Sequence, residues 1–131
     1  MLLKIFILLS NVTAPGYCQI WGDPHYVTFD GKKYNFQGDC DYTLVRDCLN
    51  NTFHLWSDNE LRRPTDTVSY IRAVTLDLNG NSYSLLKGGN VRVNGIDVTE
   101  NLAFINSDVL IYGDGIKLVR KIIYQPMFVQ S

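Results

Sequence analysis

Four glycine-containing dipeptides punctuate the second half of this chain: Asn79-Gly80, Gly88-Gly89, Asn94-Gly95 and Asp114-Gly115. Each tolerates positive φ at both central positions of a two-residue turn, the geometry whose twist matches a pair of antiparallel strands. Each is therefore expected to close a tight hairpin. Between the turns the apolar residues keep a period of two: Val68, Tyr70, Val74, Leu76 and Leu78 alternate with Ser69, Thr75 and Asp77. Such spacing turns one face of a strand inward. A β-meander is expected in this half.

Composition points the same way for the whole chain. The acids are eleven Asp against two Glu, Asn numbers eleven, Gly ten and Ala three. Asp, Asn and Gly favour turns and caps over helix interiors, while Val, Ile, Tyr, Phe and Thr suit a pleated, half-buried surface. In the first half, Tyr26–Phe29, Lys33–Phe36, Tyr42–Arg46 and Phe53–Trp56 read as short strands at intervals of roughly ten residues, the mark of a sandwich or barrel. The fold class is all-β, an antiparallel β-sandwich or meander. At 131 residues there is room for one ordinary domain. Leu61-Arg-Arg-Pro-Thr-Asp-Thr67 is the one long polar connection, and its Arg62-Arg63 pair reads as a solvated basic loop.

Twelve basic against thirteen acidic residues give a net charge of −1. That leaves no large positive field to attract a phosphate backbone, so a nucleic-acid partner is not expected. The run Met1-Leu-Leu-Lys4-Ile-Phe-Ile-Leu-Leu9, followed by Val12-Thr-Ala14, reads as a secretory signal with cleavage after Ala14. It is far short of the roughly 20 apolar residues of a membrane span. Residues 1-14 are thus assigned to a signal peptide and 15-131 to the mature domain, the alternative being that 1-14 is an interior segment.

One segment is dense with unusual residues at fixed spacing: Cys18, then Gly22-Asp23-Pro24-His25, then Thr28-Phe29-Asp30-Gly31, then Phe36-Gln37-Gly38-Asp39-Cys40-Asp41-Tyr42-Thr43-Leu44. It resembles the opening of a von Willebrand factor type D domain, in which these elements follow one another in this order. Val91-Arg-Val-Asn-Gly95 and the turn at Asp114-Gly115 are similar to the family's middle strands, so the likeness runs from about residue 18 to 124. Family members continue into a Cys-Gly-Leu-Cys-Gly-Asn segment that this sequence lacks, so the resemblance is to the N-terminal two-thirds of a D domain. It implies a calcium-bound β-sandwich module of secreted adhesive, mucin-like or matrix proteins. Its partners would be other extracellular glycoproteins or the rest of a larger parent chain.

Cys18, Cys40 and Cys48 are an odd number in a chain that reads as secreted, so at least one cannot pair internally. The resemblance implies that all three form disulfides with cysteines of the missing segment. Local pairing of Cys40 with Cys48, or buried thiols of a cytosolic protein, are the alternatives. Asn50-Asn51-Thr52 is a glycosylation sequon between two expected strands.

Asp23, His25 and Asp30 fall within eight residues. By resemblance Asp30 helps hold calcium, with companions in the missing segment, so binding here is expected to be weak or absent. Alternatively Asp30 caps a turn. A hydrolase using Asp23 and His25 would need a water-activating metal and a pocket. His54 lies in an apolar strand, and no Gly-x-Ser-x-Gly, phosphate loop or zinc spacing occurs. An enzyme acting on an external substrate is not expected.

The sharper chemistry is self-cleavage between Asp23 and Pro24, which the resemblance implies for some domains bearing Gly-Asp-Pro-His under mildly acidic conditions. The Asp23 carboxyl can attack its own main-chain carbonyl and close a five-membered anhydride. The leaving group is a proline nitrogen, to which His25 could deliver a proton as pH falls through the imidazole range near 6.5. Gly22 would give the backbone the freedom this needs.

Overall fold

A computed structural model describes residues 2–7, 16–99, 109–112, 115–118 and 128–130, with side chains for 19–99. Every element of regular length among them is a strand: β1 (Leu2–Ile7), β2 (Gly16–Trp21), β3 (His25–Val27), β4 (Lys33–Asn35), β5 (Asp41–Arg46), β6 (Phe53–Leu61), β7 (Ser69–Leu78), β8 (Asn81–Leu86), β9 (Val91–Val93), β10 (Ile96–Asp97), β11 (Val109–Tyr112), β12 (Gly115–Leu118) and β13 (Phe128–Gln130). All pairings are antiparallel. The expected all-β class holds.

The chain divides into two compact units, one of residues 1–36 and 101–131 and one of residues 37–100. The first carries a seven-stranded sheet in the order β11-β12-β13-β1-β2-β3-β4. The apolar run read as a leader forms β1, paired along six residues with β2 and also with β13. The junction at Ala14-Pro15 lies outside the described residues. In this unit Ile20, Tyr26 and Val27 are buried, and the Tyr26 ring stacks on Tyr34 at 5.0 Å.

The second unit is the expected meander, β10-β9-β8-β7-β6-β5 in unbroken chain order. Asn79-Gly80 joins β7 to β8 with φ of 50° and 80°, and Asn94-Gly95 joins β9 to β10 with 51° and 80°. Those are the turns in which both central residues must be left-handed. Gly88 and Gly89, both at positive φ, lie in the β8–β9 connection, closed by the Leu86 amide donating to the Asn90 carbonyl at 2.8 Å. β11 and β12 pair with Tyr112 opposite Gly115, and the Asp114 half of the expected turn lies outside the described residues.

One face of this sheet is a packed ladder. Leu55, Leu76 and Tyr83 face one another across β6, β7 and β8, and beside them run Ser57, Val74, Leu85 and Val91. All seven are buried, six of them apolar. The other face carries Trp56, Thr75 and Ser84 in one row and His54, Asp77 and Ser82 in the next.

The inward phase of β7 differs from the expected one in its first turn of alternation. Ser69 and Ile71 are buried where Val68 and Tyr70 were expected, whereas Val74 and Leu76 are buried as expected. The cause is a bulge. Asn59 pairs with Ile71 and Asp58 with Ala73, so Arg72 is an extra residue on β7, and one extra residue exchanges the two faces. Arg72 points outward, and its Nε donates to Asp58 Oδ2 at 2.7 Å.

Candidate functional site

The Gly22-Asp23-Pro24 segment is the three-residue connection of the β2–β3 hairpin, because Trp21 pairs directly with His25. So tight a loop needs a residue at positive φ, and Gly22 supplies it at 65°. A Cβ at that position would lie 3.4 Å from His25 Cδ2, an ordinary contact, so the positive φ and not lack of space calls for glycine. Pro24 is buried, and its carbonyl accepts the Phe36 amide at 3.4 Å.

The turn brings the two candidate groups together. His25 Nε2 lies 2.8 Å from Asp23 Oδ1, with both side chains about four-tenths exposed, 37% and 46%. The other ring nitrogen, Nδ1, lies 2.7 Å from Asn35 Oδ1 on β4, where Asn35 is the register partner of His25. The Trp21 ring lies 5.5 Å from the imidazole on the β2 side. Asp23, His25 and Asn35 thus form one chain of contacts at the end of a hairpin. The Asp23 and His25 halves were legible from their spacing of two. Asn35 was missed, because only the β3–β4 register reveals it.

Asp30 stands apart from this cluster, in the β3–β4 turn. The Gly31 amide donates to the Thr28 carbonyl at 2.9 Å, and the Lys32 amide donates to Thr28 Oγ1 at 3.0 Å. The Thr28 hydroxyl donates to Asp30 Oδ1 and, with the turn amides, holds the Asp30 carboxyl below its ordinary range. One carboxylate oxygen is therefore already engaged in the turn. Calcium takes six to eight oxygens, and among the described residues no group of three or more His, Cys, Asp or Glu side chains is placed to hold a metal. Asp30 by itself does not make a calcium cage.

The remaining residues singled out from sequence lie elsewhere. Cys18 is on β2, opposite Ile5 of β1, and its side chain lies outside the described residues. Cys40 and Cys48 are exposed and free, one on each side of β5, the edge strand of its sheet. A six-residue strand between them spans roughly 20 Å, against a Cα separation of at most about 7 Å for a disulfide. Local pairing of these two is excluded, and neither is a buried thiol. Asn50 is exposed in a turn that Asp47 organises, its Oδ1 accepting from the Leu49 and Asn50 amides at 3.0 and 3.2 Å and its Oδ2 from the Thr52 hydroxyl at 2.7 Å. His54 sits on the outward face of β6, 2.9 Å from Thr43 Oγ1 and 4.0 Å from Asp77 Oδ2. Asp77 in turn accepts from the Trp56 indole at 2.8 Å.

Comparison with known proteins bears on the same residues. SCO-spondin of Gallus gallus is 34% identical over 110 residues, 84% of this chain and 2% of its own length. Alpha-tectorin of Homo sapiens is 36% identical over 105 residues, 76% of this chain and 5% of its own. Zonadhesin of Sus scrofa is 42% identical over 82 residues, 60% and 3% respectively. The chain therefore spans only a few per cent of the relatives it matches. The family model of the von Willebrand factor type D domain matches residues 18–129, which include the Gly22–His25 hairpin and the whole meander, and the chain belongs to that family.

Proposed function

We propose that the chain is a secreted, extracellular adhesion and assembly module of a larger mucin-like or matrix glycoprotein, acting by binding and not by turnover of a substrate. The observation that carries this is the family match over residues 18–129, shared with relatives that are extracellular glycoproteins. Two local features support it. Cys40 and Cys48 flank an edge strand as exposed thiols, which supports bonding to cysteines of a parent chain or of a neighbouring glycoprotein. The sequon at Asn50 lies on an exposed turn, where a glycan can be carried without disturbing the sheet. Among the described residues no helix is long and apolar enough to cross a membrane. Expression through the secretory route of cultured cells, followed by non-reducing electrophoresis of the medium, tests the reading. Disulfide-linked, glycosylated material supports it. A reduced, unmodified chain confined to the cytosol rejects it.

A second reading is self-scission at Asp23-Pro24, and the 2.8 Å contact between Asp23 Oδ1 and His25 Nε2 favours it. In this chemistry an Asp23 carboxyl oxygen bonds to the carbon of its own main-chain carbonyl while the bond from that carbon to the Pro24 nitrogen breaks. The carboxyl proton passes through His25 Nε2 to the proline nitrogen, which leaves as a secondary amine. Water then opens the cyclic anhydride to two carboxyl groups. Incubation of the purified chain at pH 5 to 6, with Asp23→Ala as control, tests it. A new N-terminus at Pro24 in the wild type alone supports scission. An intact backbone, or equal cleavage in the control, rejects it.

A further inference from the structure

We propose that Asn35 is a positioning residue for scission at Asp23-Pro24, holding His25 so that its Nε2 is the nitrogen that exchanges a proton with Asp23. The inference rests on the self-scission reading and assigns a part to a residue that the Gly-Asp-Pro-His motif does not contain.

The geometry is set by strand register. Trp21, His25 and Asn35 are direct partners across β2, β3 and β4, so they stand in one row. The imidazole has Trp21 on one side at 5.5 Å and the Asn35 amide on the other, with Nδ1 2.7 Å from Asn35 Oδ1. An amide oxygen only accepts, so this contact requires a hydrogen on Nδ1. The consequence falls on Nε2. A neutral ring facing the Asp23 carboxylate alone would carry its hydrogen on Nε2, donate it to Asp23, and have no lone pair there for the carboxyl proton. With Nδ1–H fixed by Asn35, the neutral ring presents the Nε2 lone pair to a protonated Asp23, and the charged ring donates on both sides at once. Either way the proton to be delivered to the Pro24 nitrogen resides between Asp23 Oδ1 and His25 Nε2, 2.8 Å apart. Among the described residues the charged group in contact with the ring is Asp23, from the turn; β2 presents Trp21 and β4 presents Asn35, both uncharged.

Three measurements on the full chain test this. The rate at which a Pro24 N-terminus appears is followed by mass spectrometry from pH 4 to 8 for the wild type, Asn35→Ala and Asn35→Asp. Asn35→Ala removes the acceptor and is expected to slow scission about tenfold near pH 6, the effect of one lost hydrogen bond. Asn35→Asp keeps the shape and places a carboxylate on Nδ1, and is expected to move the pH–rate midpoint upward by about one unit. Nitrogen-15 NMR of the His25 ring in freshly purified protein reads proton placement without depending on cleavage. It should show hydrogen on Nδ1 in the wild type and a shift toward Nε2–H in Asn35→Ala. Wild-type rates and profiles in both variants, or unchanged ring-nitrogen signals, overturn the role of Asn35 while leaving scission standing. A wild-type chain that stays intact removes the scission reading and the assignment with it. Should Asn35→Ala fail to fold, the near-isosteric Asn35→Asp profile and signals decide.

Discussion

The Thr52 hydroxyl donates to Asp47 Oδ2 at 2.7 Å, tying the last residue of the glycosylation sequon to the residue that leads out of β5. The same carboxylate accepts the amides of Leu49 and Asn50 through its other oxygen. A loop with three anchors to one charge is ordered by that charge.

Together these donors, the Thr52 hydroxyl first, lower the Asp47 carboxyl from 3.8 to about 2. A depressed carboxyl adds stability that is fully present above its unfolded value and is lost as pH falls through the folded one. Asp47→Ala should therefore lower the denaturation midpoint at pH 7, with the gap to wild type narrowing below about pH 4 and closing near pH 2. A gap that stays constant from pH 7 to 2 would show that the charge of Asp47 contributes nothing.

At the candidate site, Gly22→Ala must place an L side chain at a φ of 65° and a methyl 3.4 Å from the His25 ring. The left-handed conformation alone costs about 1 to 2 kcal/mol. The variant should melt at lower temperature, because the turn that carries Asp23 and His25 is strained, and scission should slow with the loss of that turn geometry. Unchanged stability by chemical denaturation would contradict the geometry of the hairpin.

The hydroxyls of Ser57 and Ser69 are fully buried and meet no hydrogen-bond partner among the described residues. A buried polar group left unpaired costs about 1 to 3 kcal/mol. Ser57→Ala, on the packed face beside Val74, is expected to be neutral or stabilising. A loss of more than about 1 kcal/mol in an equilibrium unfolding experiment would mean that the hydroxyl is satisfied.

Exposed Cys40 and Cys48 cannot reach each other, so oxidation is expected to join each of them to a thiol elsewhere. In air or with oxidised glutathione, the purified chain should give disulfide-linked species on non-reducing gels. Cys40→Ser combined with Cys48→Ser should remove every species linked through these two positions. An unchanged ladder in the double variant would assign the cross-links to Cys18.

Much of this fold was legible beforehand because its signals are local. Asn79-Gly80 and Asn94-Gly95 encode their turns through two adjacent residues, and the Asp23–His25 contact follows from a spacing of two in a turn held by glycine. What was hidden depends on pairing between strands. The exchange of faces at Arg72 comes from one residue that β6 does not match, and nothing in the pattern of Val68 to Leu78 marks it. Asn35 meets His25 ten residues away only because β3 and β4 place them opposite. The leader-like residues Leu2 to Ile7, apolar except for Lys4 and including Ile5, Phe6 and Ile7, pair as β1, so the same composition serves a signal or a strand.

That double meaning makes the N-terminus the most direct test of an extracellular role. N-terminal sequencing of the chain expressed from Met1 in secretory cells should find it in the medium, beginning at Pro15. Recovery only from the cytosol, with Met1 intact, would contradict the account.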